Sequence, residues 1–270
     1  MNIRTPSGRL GGRILVGTTL SVAGLALGST ALAASHPAQE NPAAPSCQGQ
    51  VPTIVVPDGT TDDVHGTPER DVILGSSGPD RIFAGAGNDV VCGRGGNDQL
   101  FGGAGLDLLE GNAGDDLVQA GPGNDGVFGN AGHDELYGED GDDTVIGHEG
   151  DDLLLDGNGT DIVFGGDGND RVVSRGDGGW AWDRVFGGDG DDRIVIEGTG
   201  KKILHGDDDN DVFIGSPGPD HFHGDAGDDR LVGNAGDDRF NCGAGTDVAD
   251  GGPGTDSANN GQCETLISVP

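Results

Sequence analysis

The chain has 270 residues, of which 56 are glycine, and its 47 acidic side chains outnumber 14 lysines and arginines to give a formal charge of -33. With 33% hydrophobic and 4% aromatic residues, part of them in a leader, it lacks the material for one large apolar core and approaches the composition of a disordered chain. The charge argues against nucleic acid or an anionic membrane as partner, because binding phosphate needs clustered lysine and arginine.

Residues 1–33 read as a secretory signal peptide. Arg4, Arg9 and Arg13 precede or open an apolar stretch from Ile14 to Leu27, and Ala31-Leu-Ala33 supplies the small-residue cleavage pattern. The stretch is shorter than the roughly 20 residues that span a bilayer as a helix, and no later apolar run is long enough, so no membrane span is expected. No arginine pair precedes it, which favours the general secretion route over the twin-arginine one. A secreted, extracellular, soluble product is the consequence. Residues 34–56 are a Pro/Ala-rich leader ending in Val51-Pro-Thr-Ile-Val-Val56, a candidate strand that caps the adjoining repeats.

From Gly66 onward a nine-residue period dominates. Aspartate recurs in unbroken steps of nine at Asp71, Asp80, Asp89, Asp98, Asp107, Asp116, Asp125, Asp134, Asp143, Asp152, Asp161 and Asp170. An apolar residue sits two places after each, from Ile73 and Ile82 to Val163 and Val172, and glycine sits two places before each except at Glu69. The phase slips by four residues at Ser174–Asp177 and resumes at Asp183 and Asp192. One degenerate unit has Lys201 in the aspartate slot, a one-residue slip comes after it, and the period returns at Asp211, Asp220, Asp229, Asp238, Asp247 and Asp256. Solvated acids have no reason to keep register with glycine over this length.

Gly165-Gly-Asp-Gly-Asn-Asp-Arg-Val-Val173 and Gly187-Gly-Asp-Gly-Asp-Asp-Arg-Ile-Val195 fit the pattern G-G-x-G-x-D-x-U-x, with U apolar, at every defined position. The chain therefore resembles the RTX, or hemolysin-type, calcium-binding repeat proteins over roughly three quarters of its length. Numbering the unit 1 to 9 puts aspartate at position 6 and the apolar residue at position 8. The glycines permit positive φ and tight turns. Alternation in the extended last three residues turns position 8 inward and leaves position 7 free to vary. A unit is thus a turn plus a short strand, and two units close a coil of 18 residues. The expected fold is all-β, a right-handed parallel β-roll. Its regular part spans 57–173, an irregular insert with a degenerate repeat 174–205, a second roll segment 206–259 and a C-terminal cap 260–270.

The resemblance implies that calcium sits between turns stacked on one edge, so that aspartates 18 residues apart share an ion: Asp80 with Asp98, Asp89 with Asp107, and onward. The candidate ligands are the period's aspartates from Asp71 to Asp170, then Asp192, Asp211, Asp220, Asp229, Asp238, Asp247 and Asp256, with backbone carbonyls completing an oxygen shell for a hard cation. Asp183 is left out because Ala181 replaces the glycine before it. Stacked carboxylates about 4.8 Å apart repel one another, and one apolar side chain per nine residues does not offset the ordering entropy. Multiple calcium ions are thus the expected partners, with folding coupled to their binding.

Cys47, Cys92, Cys242 and Cys263 in an exported chain suggest disulfides. On a roll, Cys92 and Cys242 lie about eight coils or ~40 Å apart, too far to bridge, which leaves Cys47–Cys92 and Cys242–Cys263. Trp180 and Trp182 cover the insert or form a ligand platform. His221-Phe-His223 places two imidazoles on the outer face, where solvated histidines are commoner than a transition-metal site. Position 9 is often aromatic (Phe83, Phe101, Phe128, Tyr137, Phe164, Phe186). These rings are expected to pack over the glycine turns of the next coil, with an outward stripe that meets a partner as the alternative.

No catalytic function is expected. Neither H-E-x-x-H nor G-x-S-x-G occurs, and the leader before the repeats leaves no room for a catalytic domain. The reading is a secreted calcium-binding module, structural or calcium-buffering. A calcium-dependent adhesin or matrix protein with an extracellular surface partner is the alternative, and a calcium-dependent hydrolase is a more distant one.

Overall fold

The computed structural model describes residues 46–176, 182–198, 201–259, 263 and 265–269, the last five as backbone. The expected signal peptide, most of the leader and Trp180 lie outside the described residues. Within them the chain is an all-strand parallel β-solenoid of about 11 turns with no helix. One sheet runs through alternate strands from Ile54–Val55 to Ser257–Ala258, and the second from Val64–His65 to Thr265–Val269. Each strand pairs in parallel with the strands one coil before and after it, as Val145 does with Val127 and Val163.

The strands are longer than the last three positions of a unit. Arg81–Ala86, Gln99–Ala104 and their equivalents continue through positions 1–3 of the next unit, so that only positions 4–6 form the corner. The burial alternates accordingly, with positions 8 and 1 inward and 7 and 9 outward. Ile82, Leu100, Val118, Leu136 and Leu154 stack in one file, and Ile73, Val91, Leu109, Val127 and Val145 in the other. All are 0% exposed, each contributing about 1.5–3 kcal/mol of burial.

Glycine at position 4 is enforced by coil-to-coil contact. Gly141 has φ +146°, and a Cβ there would lie 1.3 Å from the carbonyl oxygen of Gly123 in the coil beneath. Gly105 repeats this against Gly87 at 1.4 Å. Position 2 also has positive φ, but there asparagine, arginine, glutamate and histidine are accommodated (Asn112, Arg94, Glu139, His148) at φ between 77° and 84°. Gly141→Ala should therefore destabilise the calcium-loaded protein by at least about 2 kcal/mol, combining backbone strain with a displaced corner. Asn130→Ala, at position 2, should cost much less. Urea denaturation of both variants checks the contrast.

The ladder crosses residues 174–205 in both sheets. Ile162–Asp167 pairs with Asp183–Asp189, and Arg171–Gly176 with Arg193–Gly198, so four extra residues are absorbed outside the strands. The register corrects one sequence assignment. Asp183 pairs with Lys202 and Val185 with Leu204, so Lys202, not Lys201, holds the aspartate slot, and the one-residue slip comes before the lysine. Lys201 instead lies exposed over the Trp182 ring at 5.3 Å, and Trp182 meets His221 edge-on.

Both disulfides form as expected, Cys47–Cys92 with Cα atoms 5.7 Å apart and Cys242–Cys263 with 5.3 Å. The position 9 rings depart from expectation. They lie on one another along the outer faces and not over the glycine turns: Phe83 stacks on Phe101 and Phe164 on Phe186, each at 4.7 Å. Parallel pairing brings equivalent positions one strand spacing apart, which is the distance of stacked rings.

Candidate metal centre

The corners carry the aspartates as two columns. The first, leading into the first sheet, holds Asp71, Asp89, Asp107, Asp125, Asp143, Asp161, Asp183, Lys202, Asp220, Asp238 and Asp256. The second holds Asp80, Asp98, Asp116, Asp134, Asp152, Asp170, Asp192, Asp211, Asp229 and Asp247. All but Asp256 are buried.

Outside Asp71, Asp80 and Asp220, each carboxylate turns along the column toward the aspartate of the preceding coil. The backbone N–H of Asp80 donates to Oδ1 of Asp98 at 2.8 Å, that of Asp98 to Asp116 at 2.7 Å, and that of Asp107 to Asp125 at 2.7 Å. The pattern crosses the slips, with Asp161 to Asp183 at 3.0 Å, Asp170 to Asp192 at 2.7 Å and Asp192 to Asp211 at 2.9 Å. Neighbours in the columns are thus set by coil and not by a fixed spacing of 18, which joins aspartates that sequence spacing alone left unpaired.

The other oxygen has no partner. Oδ2 of Asp89, Asp98, Asp107, Asp116, Asp125, Asp134, Asp143, Asp152, Asp161, Asp170, Asp192, Asp211, Asp229, Asp238 and Asp256 is buried without a hydrogen-bond donor. It lies over the position 1 glycine of its own unit: a Cβ on Gly93, Gly129 or Gly147 would sit 2.2 Å from it. A buried acceptor left unsatisfied costs about 1–3 kcal/mol, and an ionised one more. In the columns from Asp89 to Asp161 and from Asp98 to Asp229, burial is the main cause that pushes the orphaned carboxyls up, opposed by the neighbouring aspartate N–H. Asp98, Asp116, Asp152 and Asp192 reach about 7, and Asp170 and Asp211 about 8.

Three units solve the problem within the protein. In Gly75-Ser-Ser-Gly-Pro-Asp80 the Ser76 N–H donates to Asp80 Oδ2 at 2.6 Å and its hydroxyl reaches Oδ1. Ser216 for Asp220, and Thr67 for Asp71, donate both the N–H and the hydroxyl to Oδ2, which leaves Oδ1 of Asp220 buried without a donor. Burial would raise Asp71, but the Thr67 N–H and hydroxyl and the Thr53 hydroxyl outweigh it and hold the carboxyl low. Serine or threonine at position 2 is a signal that the nine-residue pattern contained and that reading for glycine alone passes over.

A fourth solution is Lys202. Its Nζ, buried to 1% side-chain exposure, ion-pairs with Asp183 Oδ2 and donates to the carbonyl of Arg175 at 3.1 Å. Asp156, standing where neighbouring units have glycine or alanine, joins Asp161 and Asp183 in a cluster with carboxylate oxygens within 4.8 Å of one another. The Asp156 carboxylate accepts from the N–H of Gly157 and of Arg175, both at 2.7 Å. Burial pushes Asp156 up, and the Lys202 ammonium works against that. Asp156 and Lys202 lie outside the aspartate period, and Asp183, which keeps it, is not among the expected ligands.

The donor set is all oxygen, anionic, buried and incompletely satisfied, as a hard divalent cation requires. The RTX calcium-binding nonapeptide repeat model matches residues 65–100, 101–136, 137–172, 177–195, 205–240 and 223–258, more than half of the chain. The chain belongs to the RTX calcium-binding repeat family. No curated protein matches it. For an RTX repeat chain, the two columns are the edges on which the repeats place their acidic groups, and the matched segments include every unit with an orphaned Oδ2.

Proposed function

We propose that this RTX chain is an exported, non-catalytic calcium-binding module in which stacked corners hold several ions and the roll folds as they bind. The orphaned Oδ2 columns carry the reading. Consecutive aspartates of a column, from Asp89 to Asp161 and from Asp98 to Asp247, would hold the ions together with backbone carbonyls of the corners. Calcium supplies the positive charge that the buried carboxylates lack. The chain's own residues orient them: the aspartate N–H fixes Oδ1, and the position 1 glycine leaves room for Oδ2. Corners closed by Thr67, Ser76 and Ser216, and the corner filled by Lys202, bear less of this demand. The basic and apolar opening of residues 1–33 and the two disulfides support export to an oxidising compartment.

Isothermal calorimetry with far-ultraviolet circular dichroism on the chelator-treated protein tests this directly. The expected result is several ions per chain, in the range of about 10⁻⁴–10⁻³ M common to extracellular modules, taken up together with the gain of β structure. Full β structure in excess chelator, with no heat on adding calcium, would reject it. The outer-face ladders, with Phe164 38% exposed, favour an extracellular surface partner as a second role. A pull-down with and without calcium separates that adhesive role from buffering alone.

A further inference from the structure

Two copies of a tripeptide, His205-Gly-Asp207 and His223-Gly-Asp225, stand on adjacent coils of the first sheet, far from the carboxylate columns in chemistry. Parallel register sets His205 directly beside His223, and Asn241 stands on the next coil. The imidazoles stack with centroids 4.3 Å apart and planes 16° from parallel. Asp225 sits at position 2 with φ +67°, and its Oδ2 lies 2.9 Å from His205 Nδ1. Asn241 Nδ2 lies 3.2 Å from His223 Nδ1. One ligand atom from each of His205, His223 and Asp225 falls within 4.8 Å of the others, and all three residues are partly buried yet reachable from solvent.

We propose that His205, His223 and Asp225 form a second metal site, on the outer face, for a borderline divalent transition metal of the zinc class. Two imidazoles and one carboxylate suit zinc and disfavour calcium, which takes oxygen. Two ligands on one zinc at about 2.0–2.1 Å each stand roughly 3.3 Å apart in a tetrahedral shell. The 2.9 Å contact between His205 and Asp225 needs to open by only a few tenths of an ångström for the ion to replace the shared proton, and His223 has to turn out of its stack on His205 for its in-plane lone pair to reach the same ion. Asn241 faces Nδ1 of His223 with its amide; turned over, that amide presents Oδ1 to an Nδ1–H and leaves Nε2 free for the ion, the usual arrangement of an outer partner behind a metal-bound histidine. Asp207 adds a neighbouring carboxylate that senses both His205 and Asp225. Three protein ligands leave the fourth position to water.

The competing explanation is that both histidines merely extend the ring ladder Phe164–Phe186–His205. Phenylalanine at both positions separates the two, because it keeps the stack and removes the donors. The experiment titrates the full chain in saturating calcium with zinc by calorimetry, and with cobalt(II) by visible absorption. The parent should bind one zinc per chain and give the d–d band of imidazole-coordinated cobalt. The H205F/H223F variant should keep its circular dichroism and lose zinc affinity by more than about 100-fold, and Asp225→Asn should lose about 10-fold. His221→Phe, a neighbour on the same strand, should bind as the parent does. Equal affinity in parent and H205F/H223F overturns the proposal, as does a cobalt complex without nitrogen ligation in the parent. Should the double variant fail to fold, His205→Phe alone and the parent's cobalt spectrum decide. Calcium binding and roll formation are read separately, so failure here is distinct from failure of the calcium reading.

Discussion

Stripped of calcium at pH 8, the chain should lose its β structure, and acidification to about pH 4–5 should bring much of it back. The magnitudes favour a complete effect. About fifteen buried Oδ2 atoms lack a donor, and at even ~1 kcal/mol each their combined cost reaches the top of the 5–15 kcal/mol that typically separates folded from unfolded states. The sign comes from linkage. Burial raises the folded-state values of Asp134, Asp143 and Asp229 to about 6, of Asp98, Asp116, Asp125, Asp152, Asp161, Asp192 and Asp238 to about 7, and of Asp170 and Asp211 to about 8. Their ordinary value is 3.8. The folded state therefore holds protons more tightly than the unfolded one. Its stability is fully present below about pH 4 and is lost as pH rises through 6 to 8. Protons and calcium are then alternative ways of neutralising the same oxygens. Circular dichroism between pH 4 and 9, with chelator and with calcium, measures this. A metal-free chain that is folded at pH 8 and unfolds in acid would contradict it.

Lys202→Met should destabilise the calcium-saturated roll by about 3–5 kcal/mol, the usual cost of removing one partner from a buried ion pair. Methionine keeps most of the volume but leaves Asp183 beside Asp156 and Asp161 with no positive side chain to answer them. Adding Asp183→Asn should recover a large part of the loss, since it removes the uncompensated charge. Lys201→Met, at the exposed neighbour, should change stability by well under 1 kcal/mol. Urea denaturation in excess calcium of the parent, these three variants and Asp183→Asn alone gives the coupling. Equal costs at Lys201 and Lys202 would show that the register between Asp183 and Lys202 does not hold in solution.

Much of this architecture was legible because a period of nine commits both the backbone and the chemistry. Glycine at position 4, aspartate at position 6 and an apolar residue at position 8 each answer a separate physical demand, and their repetition fixes the parallel ladder, the buried files and the corner columns. The partners of Cys92 and Cys242, namely Cys47 and Cys263, follow from coil counting alone. What escaped is where one residue substitutes for another's role. Lys201 and Lys202 are adjacent and chemically alike, and only strand register distinguishes the buried one from the one on Trp182. Asp156 replaces a small residue that the pattern treats as passive. Ser76 and Ser216 look like ordinary turn residues until the orientation of the aspartate is known. The ring ladders escaped for a related reason: position 9 neighbours are distant in sequence, and their stacking exists only once coils are superposed.

The four extra residues between Arg171–Gly176 and Asp183–Asp189, and the single one before Lys202, leave every later strand in its own sheet. Corner length is thus a free variable, whereas strand count is not. Duplicating two units would lengthen the rod by one coil and alter nothing downstream. Duplicating one unit would send every later strand to the opposite sheet, exchanging the two outer faces beyond that point while leaving the interior files intact. Such chains can therefore grow in pairs of repeats without disturbing what their surfaces display, and a change in the parity of the repeat number acts as a rotation of half the molecule by half a turn.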